Sequence, residues 1–164
     1  MTISLTPLTT ADLEAHLAGE DDQIVRWLSQ APATREGLRA YLADCERRWA
    51  EEAEVRNFGI RHGAEETLVG SVDVQFGLPF LGEGEANIAY CVYPPWRGRG
   101  IATAAVLLAC DWAGAHGASG AVIRSHPDNE ASAGVALRAG FRPGGVDDEG
   151  PEGPLRWFRR DLGR

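Results

Sequence analysis

The sequence predicts a mixed α+β fold, and three observations carry that prediction. Apolar residues recur at helical spacing up to about residue 50, alternate at period two through residues 56–93, and then return in segments of both kinds. Gly and Pro clusters mark the changes of period. No internal repeat and no linker-like stretch divides the chain, so residues 1–164 are read as one domain, long enough to bury a substantial core without disulfides.

The elements follow in order. "TISLTPL" is a first short strand, and Thr10 is placed as the cap of the helix "ADLEAHLAG", whose positive end Asp12 and Glu14 suit. "DDQIVRWLSQ" reads as a second short helix with Ile24, Trp27 and Leu28 on one face. "TREGLRAYLADCERRWAEEAE" is a longer helix with Leu38, Tyr41, Leu42, Cys45 and Trp49 at helical spacing. "RNFGIRH" and "TLVGSVDVQFG" alternate as strands joined at "GAEE", and "ANIAYCVYPP" is a strand that Pro94 and Pro95 end. A helix from Ile101 to about Ala115 closes at Gly117, "GAVIRSH" is a strand, and "NEASAGVALRAG" is a helix ending at Gly140. "FRPGGV" and "LRWFRRDL" form a last strand pair around the polar loop "DDEGPEGP".

Composition narrows the function. Sixteen basic against 24 acidic residues give a net charge of −8, which disfavours general nucleic-acid binding and permits a cationic partner such as an amine. A solvated acidic surface accounts for most of these charges. Every basic residue is Arg, the usage of a GC-rich bacterial genome. Cys45, Cys91 and Cys110 are odd in number and lack CxxC spacing, against a disulfide framework or a zinc site, so no metal is expected. No apolar run reaches the ~18 residues of a membrane span, and the N-terminal stretch lacks the basic and apolar regions of an export signal. A reduced cytoplasmic setting is the expectation.

One stretch carries chemistry. In "YPPWRGRGIATAAV" (residues 93–106) prolines end a strand, glycines open a turn, and a helix begins. A helix N-terminus offers unpaired N–H groups and partial positive charge to an anion. Gly98 and Gly100 allow close backbone approach, Arg97 and Arg99 add charges that can pair with phosphate oxygens, and Thr103 adds a hydroxyl. The phosphate is not that of a P-loop, which needs a Lys this chain lacks. Nor does it suit a dinucleotide fold: "GRGIAT" misses the third Gly, and "GAVIR" carries no acid.

Arg97-Gly98-Arg99-Gly100-Ile101-Ala102 resembles the Arg/Gln-x-x-Gly-x-Gly/Ala motif of the GNAT N-acetyltransferases, which bind acetyl-CoA. Asn129 and Ser132, followed by Gly140-Phe141, resemble the Asn-x-x-Ser…Gly-Phe signature of the ribosomal-protein-N-terminal-acetyltransferase-like branch, and the resemblance spans nearly the whole chain. It implies a central, mostly antiparallel twisted sheet of about six or seven strands with helices on both faces, splayed between the fourth and fifth strands. It implies that backbone amides from Arg97 to Ala102, Ile101 included, hold the pyrophosphate of coenzyme A. Cys91 and Val92 would pair with the pantetheine arm and polarise the acetyl carbonyl, Asn129 would bond that arm, and Ser132 would sit near the thiol.

Acetyl transfer to an amine needs the ammonium (pKa ~10 for a lysine-like group) to lose a proton, so a base is expected. The resembled branch often carries Glu where this chain has Asn87, which cannot act as a base. Glu85 (a base or a solvated carboxylate), His126 (a base or a capping ring), and Asp73 and Gln75 (pocket lining or surface) are the replacements. Tyr90 is a pocket phenol or a core aromatic, and Asp21, Asp22, Trp27 and Trp49 are elements of an acceptor pocket or of core and surface. The implied function is an acetyl-CoA-dependent N-acetyltransferase with a protein N-terminus or small-molecule amine as partner, as a monomer or homodimer. The alternative is a non-catalytic acyl-CoA-binding module, which the Asn at position 87 favours.

Overall fold

The computed structural model describes residues 2–147, 150 and 152–163. A seven-stranded sheet runs in the order β1-β2-β3-β4-β5-β7-β6. Its strands are β1 (Ile3–Pro7), β2 (Val55–His62), β3 (Thr67–Gln75), β4 (Glu85–Val92), β5 (Gly120–Ser125), β6 (Arg142–Asp147) and β7 (Leu155–Asp161). All neighbours are antiparallel except β4 and β5. Among the described residues the α-helical segments are α1 (Leu13–Gly19), α2 (Asp22–Ile24), α3 (Arg35–Ala50), α4 (Ile101–Ala115) and α5 (Glu130–Arg138).

Period-two alternation gives the sheet two covered faces. Phe58, Ile60, Val72, Val74, Ile88 and Val92 pack with Ile101, Ala105, Val106 and Ala109 of α4 and with Ala133 and Ala136 of α5. The other face packs Leu13 of α1, Ile24 of α2 and Leu38, Leu42 and Cys45 of α3 against Leu8, Leu68 and Tyr93. Gly19 is required there, since a Cβ would lie 2.4 Å from the Tyr93 ring. The three cysteines are unpaired thiols.

Two predicted details differ. The turn before α1 starts one residue earlier than expected: Thr9 N–H donates to Asp12 Oδ2 at 3.0 Å, while Thr10 donates through both N–H and Oγ1 to Glu46 Oε1. The "DDQIVRWLSQ" segment is one turn of α2 followed by a π-helical turn over Val25–Ser29 that ends at Gln30 with φ +67°. The wider turn breaks the 3.6-residue register, so Ile24 is buried while Leu28 is 44% exposed. Asp148, Glu149 and Pro151 of the predicted polar loop lie outside the described residues.

The parallel pairing of β4 with β5 positions the site. It covers only Glu85–Asn87 against Gly120–Val122, and beyond it β5 keeps only its pairing with β7 and β4 only its pairing with β3. The sheet is therefore splayed between β4 and β5, closed at Glu85 and open at Val92, about 23 Å further along the strand.

Candidate active site

The open end of the splay faces the N-terminus of α4. Tyr93–Trp96 leave β4 through a 3-10 turn started by Pro94, and Gly98 and Gly100 follow with φ +73° and +78°. Only glycine adopts that backbone without strain. A Cβ at either position would meet nothing within 4 Å, so the loop is open outward rather than packed. Ile101 anchors α4 in the core at 1% exposure. The first helical N–H groups of a 15-residue helix are thereby presented at the mouth of the splay.

The alternation of the β4 edge decides which amides line the gap. Tyr93 N–H bonds to Val69 O on the β3 side, so in an antiparallel edge Ile88, Tyr90 and Val92 direct their backbone groups toward β5. The Cys91 amide belongs to the β3 ladder, and its thiol lies 3.4 Å from Ser71 Oγ on the α3 face, where burial pushes its pKa up. Of the two residues expected to meet an acyl carbonyl, Val92 directs its backbone groups toward the gap and Cys91 toward β3.

Across the gap, Asn129 caps α5 by accepting from the Ser132 N–H at 3.2 Å. Tyr90 reaches over from β4: its Oη is 2.8 Å from Ser132 Oγ and donates to Ser132 O at 3.1 Å. Burial, partly offset by Ser132, pushes the Tyr90 phenol up to about 12, so it stands as a protonated donor at neutral pH. Two further hydroxyls flank the gap. Thr103 Oγ1 on the first turn of α4 and Ser125 Oγ at the end of β5 are buried with no partner among the described residues. Buried hydroxyls without partners are rare, and these suit a polar ligand arm lying between β4, β5, α4 and α5.

The two arginines have separate fates. Arg97 does not extend toward a phosphate site: its Nη1 and Nη2 bond Asp21 at 2.6 and 2.9 Å, and its Nε donates to Val92 O at 2.9 Å. The Arg97 hydrogen bonds hold the Asp21 carboxyl below the usual carboxylate range. The guanidinium thus ties α2 to the glycine loop, a link between residues 76 positions apart that no local pattern reveals. Arg99 is exposed, its guanidinium 5.1 Å from the Trp96 ring centroid.

The expected bases are arranged as follows. Glu85 sits at the closed end of the splay, with Oε1 3.4 Å from Arg159 Nε, far from the α4 terminus. His126 lies at the open end, 5.2 Å from the Trp27 ring, and its Nδ1 accepts the Asp128 N–H at 3.0 Å. In that bond Nδ1 is the acceptor, and Asp128 Oδ2 lies 3.8 Å from the same nitrogen. Trp27 also lines an open cavity of about 400 Å³ with Asp22, Gln23, Arg26 and Asn129. Asn87 is 7% exposed and donates to Gln75 Oε1 at 2.8 Å. Trp49 lies away from the site, stacked edge-on with Phe58 and Trp112.

Residues 2–142 match the model of the "Acetyltransferase (GNAT) domain". No curated protein matches. Among solved structures, an acetyltransferase (GNAT family) from Bacillus anthracis superposes with TM-score 0.82 at 17% identity, covering 99% of this chain and 96% of its own. The ribosomal protein acetyltransferase RimL, in complex with coenzyme A, gives TM-score 0.83 at 17% identity over 98% of this chain and 94% of its own. The aminoglycoside acetyltransferase AAC(6')-Ib, also with coenzyme A, gives 0.81 at 18% identity over 98% and 95%. The family model covers most of the chain and the fold agrees over its whole length: this chain belongs to the GNAT acetyltransferase family.

Proposed function

We propose that this protein is an acetyl-CoA-dependent N-acetyltransferase acting on a primary amine, with residues 1–164 forming one catalytic domain in the cytoplasm. The observation that carries the reading is the splay: β4 and β5 part after three residues, and the gap opens onto the glycine-lined N-terminus of α4. The amides of residues 98–103 would receive the pyrophosphate, with Arg99 free to add charge. The Tyr90 and Val92 N–H groups would hold the pantetheine arm and the acetyl carbonyl, and Asn129, Thr103 and Ser125 offer polar contacts along the arm. Acetyl-CoA supplies the activated acyl group as a thioester. The Ser132–Tyr90 hydroxyl pair is placed to donate a proton to the departing thiolate. In this reading Arg97 positions α2 over the mouth instead of contacting phosphate.

Relatives of this fold act on different amines, an aminoglycoside for one and a ribosomal protein for another. The test is thiol release from acetyl-CoA with an aminoglycoside, a polyamine and a short peptide with a free α-amine. Amine-dependent release with an acetylated product is expected. Tight acetyl-CoA binding without release above hydrolysis would instead support the binding-module reading, which the absence of a Glu at position 87 favours.

A further inference from the structure

The α3 face of the sheet carries a polar row that the cofactor-side chemistry does not use. Arg48 Nη1 donates to Asn57 Oδ1 at 3.0 Å, and Asn57 Nδ2 donates to Asp73 Oδ1 at 2.8 Å. From the other side, Asn87 Nδ2 donates to Gln75 Oε1 at 2.8 Å, and the Gln75 side chain hydrogen-bonds Asp73. Every donor therefore points toward Asp73, which ends both chains. Its two direct partners are neutral amides, so its negative charge is oriented but not cancelled. Arg48 is one residue removed, behind Asn57.

Placement gives this row its meaning. Asp73 pairs directly with Ala89 of β4, the residue before Tyr90, and both Asp73 and Ala89 keep part of their surface open. On one face of β4, then, stands a carboxylate; on the opposite face, one residue on, stands the Tyr90–Ser132 hydroxyl pair. Asn87 lies on the Asp73 face, and its Oδ1 is buried with no partner among the described residues.

We infer that Asp73 is the catalytic residue that receives the acceptor's ammonium group and takes its proton, with Asn87 Oδ1 accepting a second N–H. The inference rests on the acetyl-transfer reading above. Asp73 removes one proton from R–NH3⁺ and passes it to water. The freed nitrogen lone pair forms the C–N bond to the acetyl carbon, and the C–S bond breaks with its electron pair on sulfur. A second nitrogen proton ends on sulfur by way of the Tyr90–Ser132 pair, so the products are R–NH–acetyl, coenzyme A thiol and one released proton. The acceptor class is an aliphatic primary amine that is cationic at neutral pH. No anionic group on it is required.

Burial pushes the Asp73 carboxyl up to about 6, and Asn57, Arg48 and Gln75 offset only part of that rise. The titratable groups facing it are Tyr41, Cys45 and Arg48 from α3 and Cys91 from β4, and from β2 the neutral Asn57 meets it. Transfer to a small aliphatic amine should therefore rise with pH through a midpoint near 6 in the wild-type protein.

The experiment is the pH profile of kcat/KM for a polyamine in wild type, Asp73→Asn and Arg48→Met, with the acetyl-CoA-induced rise in Tm recorded for each. Asp73→Asn should cut kcat/KM by about 10²-fold or more and abolish the rising limb while the acetyl-CoA shift persists. Arg48→Met removes a cation that favours the carboxylate, so its midpoint should move upward. A merely structural Asp73 would lower the rate and leave the limb in place; that result, or an unmoved midpoint in Arg48→Met, overturns the assignment and leaves acetyl transfer standing. Should Asp73→Asn fail to fold, the Arg48→Met midpoint decides. If wild type binds acetyl-CoA and no amine raises thiol release, the transfer reading itself falls.

Discussion

Replacing Gly100 by Val separates folding from ligand binding at the centre of the site. Gly100 has φ +78°, so a β-branched residue there carries left-handed strain of about 1–3 kcal/mol. A Cβ meets no atom within 4 Å, so no steric clash adds to that cost. For a chain of 164 residues, where 1 kcal/mol corresponds to about 2–4 °C, the variant should melt roughly 2–12 °C below wild type and still unfold cooperatively. Acetyl-CoA at about 100 times its dissociation constant should add about 2.7 kcal/mol to the wild type under the proposed function, or roughly 5–10 °C. In Gly100→Val that increment should vanish, because the side chain occupies the space above the α4 amides. Scanning calorimetry with and without acetyl-CoA reads both numbers. A variant that keeps the full increment would remove the glycine loop from the binding site, and one that fails to fold would show that the loop is packed rather than open.

Three further outcomes follow from named contacts. Tyr90→Phe and Ser132→Ala remove the two ends of one hydroxyl pair, so each should lower kcat and the double variant should lose much less than the product of the single losses; full multiplicativity in steady-state rates would show that the hydroxyls act separately. Asp12 and Arg61 form a nearly buried pair, with side chains 9% and 12% exposed, so Asp12→Asn should cost about 3 kcal/mol in urea denaturation at pH 7. Burial works to raise the Asp12 pKa, but bonds from Arg61 and Thr9 outweigh it and hold it low. Its stabilisation is therefore present above about pH 4 and lost as pH falls through the lowered value, and the variant should show a flatter stability curve there. Asp21→Asn weakens a pair that is 31% and 27% exposed, so stability should change by under about 1 kcal/mol. It also removes a negative charge beside the proposed pyrophosphate site, so acetyl-CoA should bind several-fold tighter at low salt, an effect that calorimetric titration should see fade as salt is added.

Local rules made much of this fold readable. Helix α4 runs from Ile101 to Ala115 as its flanks require, because Gly100 and Gly117 take positive φ at its two ends. The glycine loop was legible for the same reason, as a short-range answer to unpaired helix-end amides; Asn129 stood out only through the signature it resembles, and its capping of α5 came from the structure. The insertion of β7 between β5 and β6 was not, since strand order is a long-range choice. The register of "DDQIVRWLSQ" failed because a π turn, which has no strong local signature, replaced the regular period. The catalytic side was the least legible part. Glu85 and His126 stood out by residue type and nearness in sequence, yet one lies at the closed end of the splay and the other spends Nδ1 on a backbone amide. Asp73 stood out only by alternation. Its direct partners are Asn57 of β2 and Gln75 of its own strand, backed by Arg48 of α3 and Asn87 of β4, and only the folded register of β2, β3 and β4 brings the two chains of donors together on it.

Backbone amide shifts followed by NMR during titration with acetyl-CoA test the central claim most directly. Saturable changes should appear at Tyr90 and Val92, at residues 98–103 and at Asn129–Ser132, on both sides of the β4–β5 gap. Changes confined to the β6–β7 edge, or none that saturate, would contradict a cofactor seated in the splay.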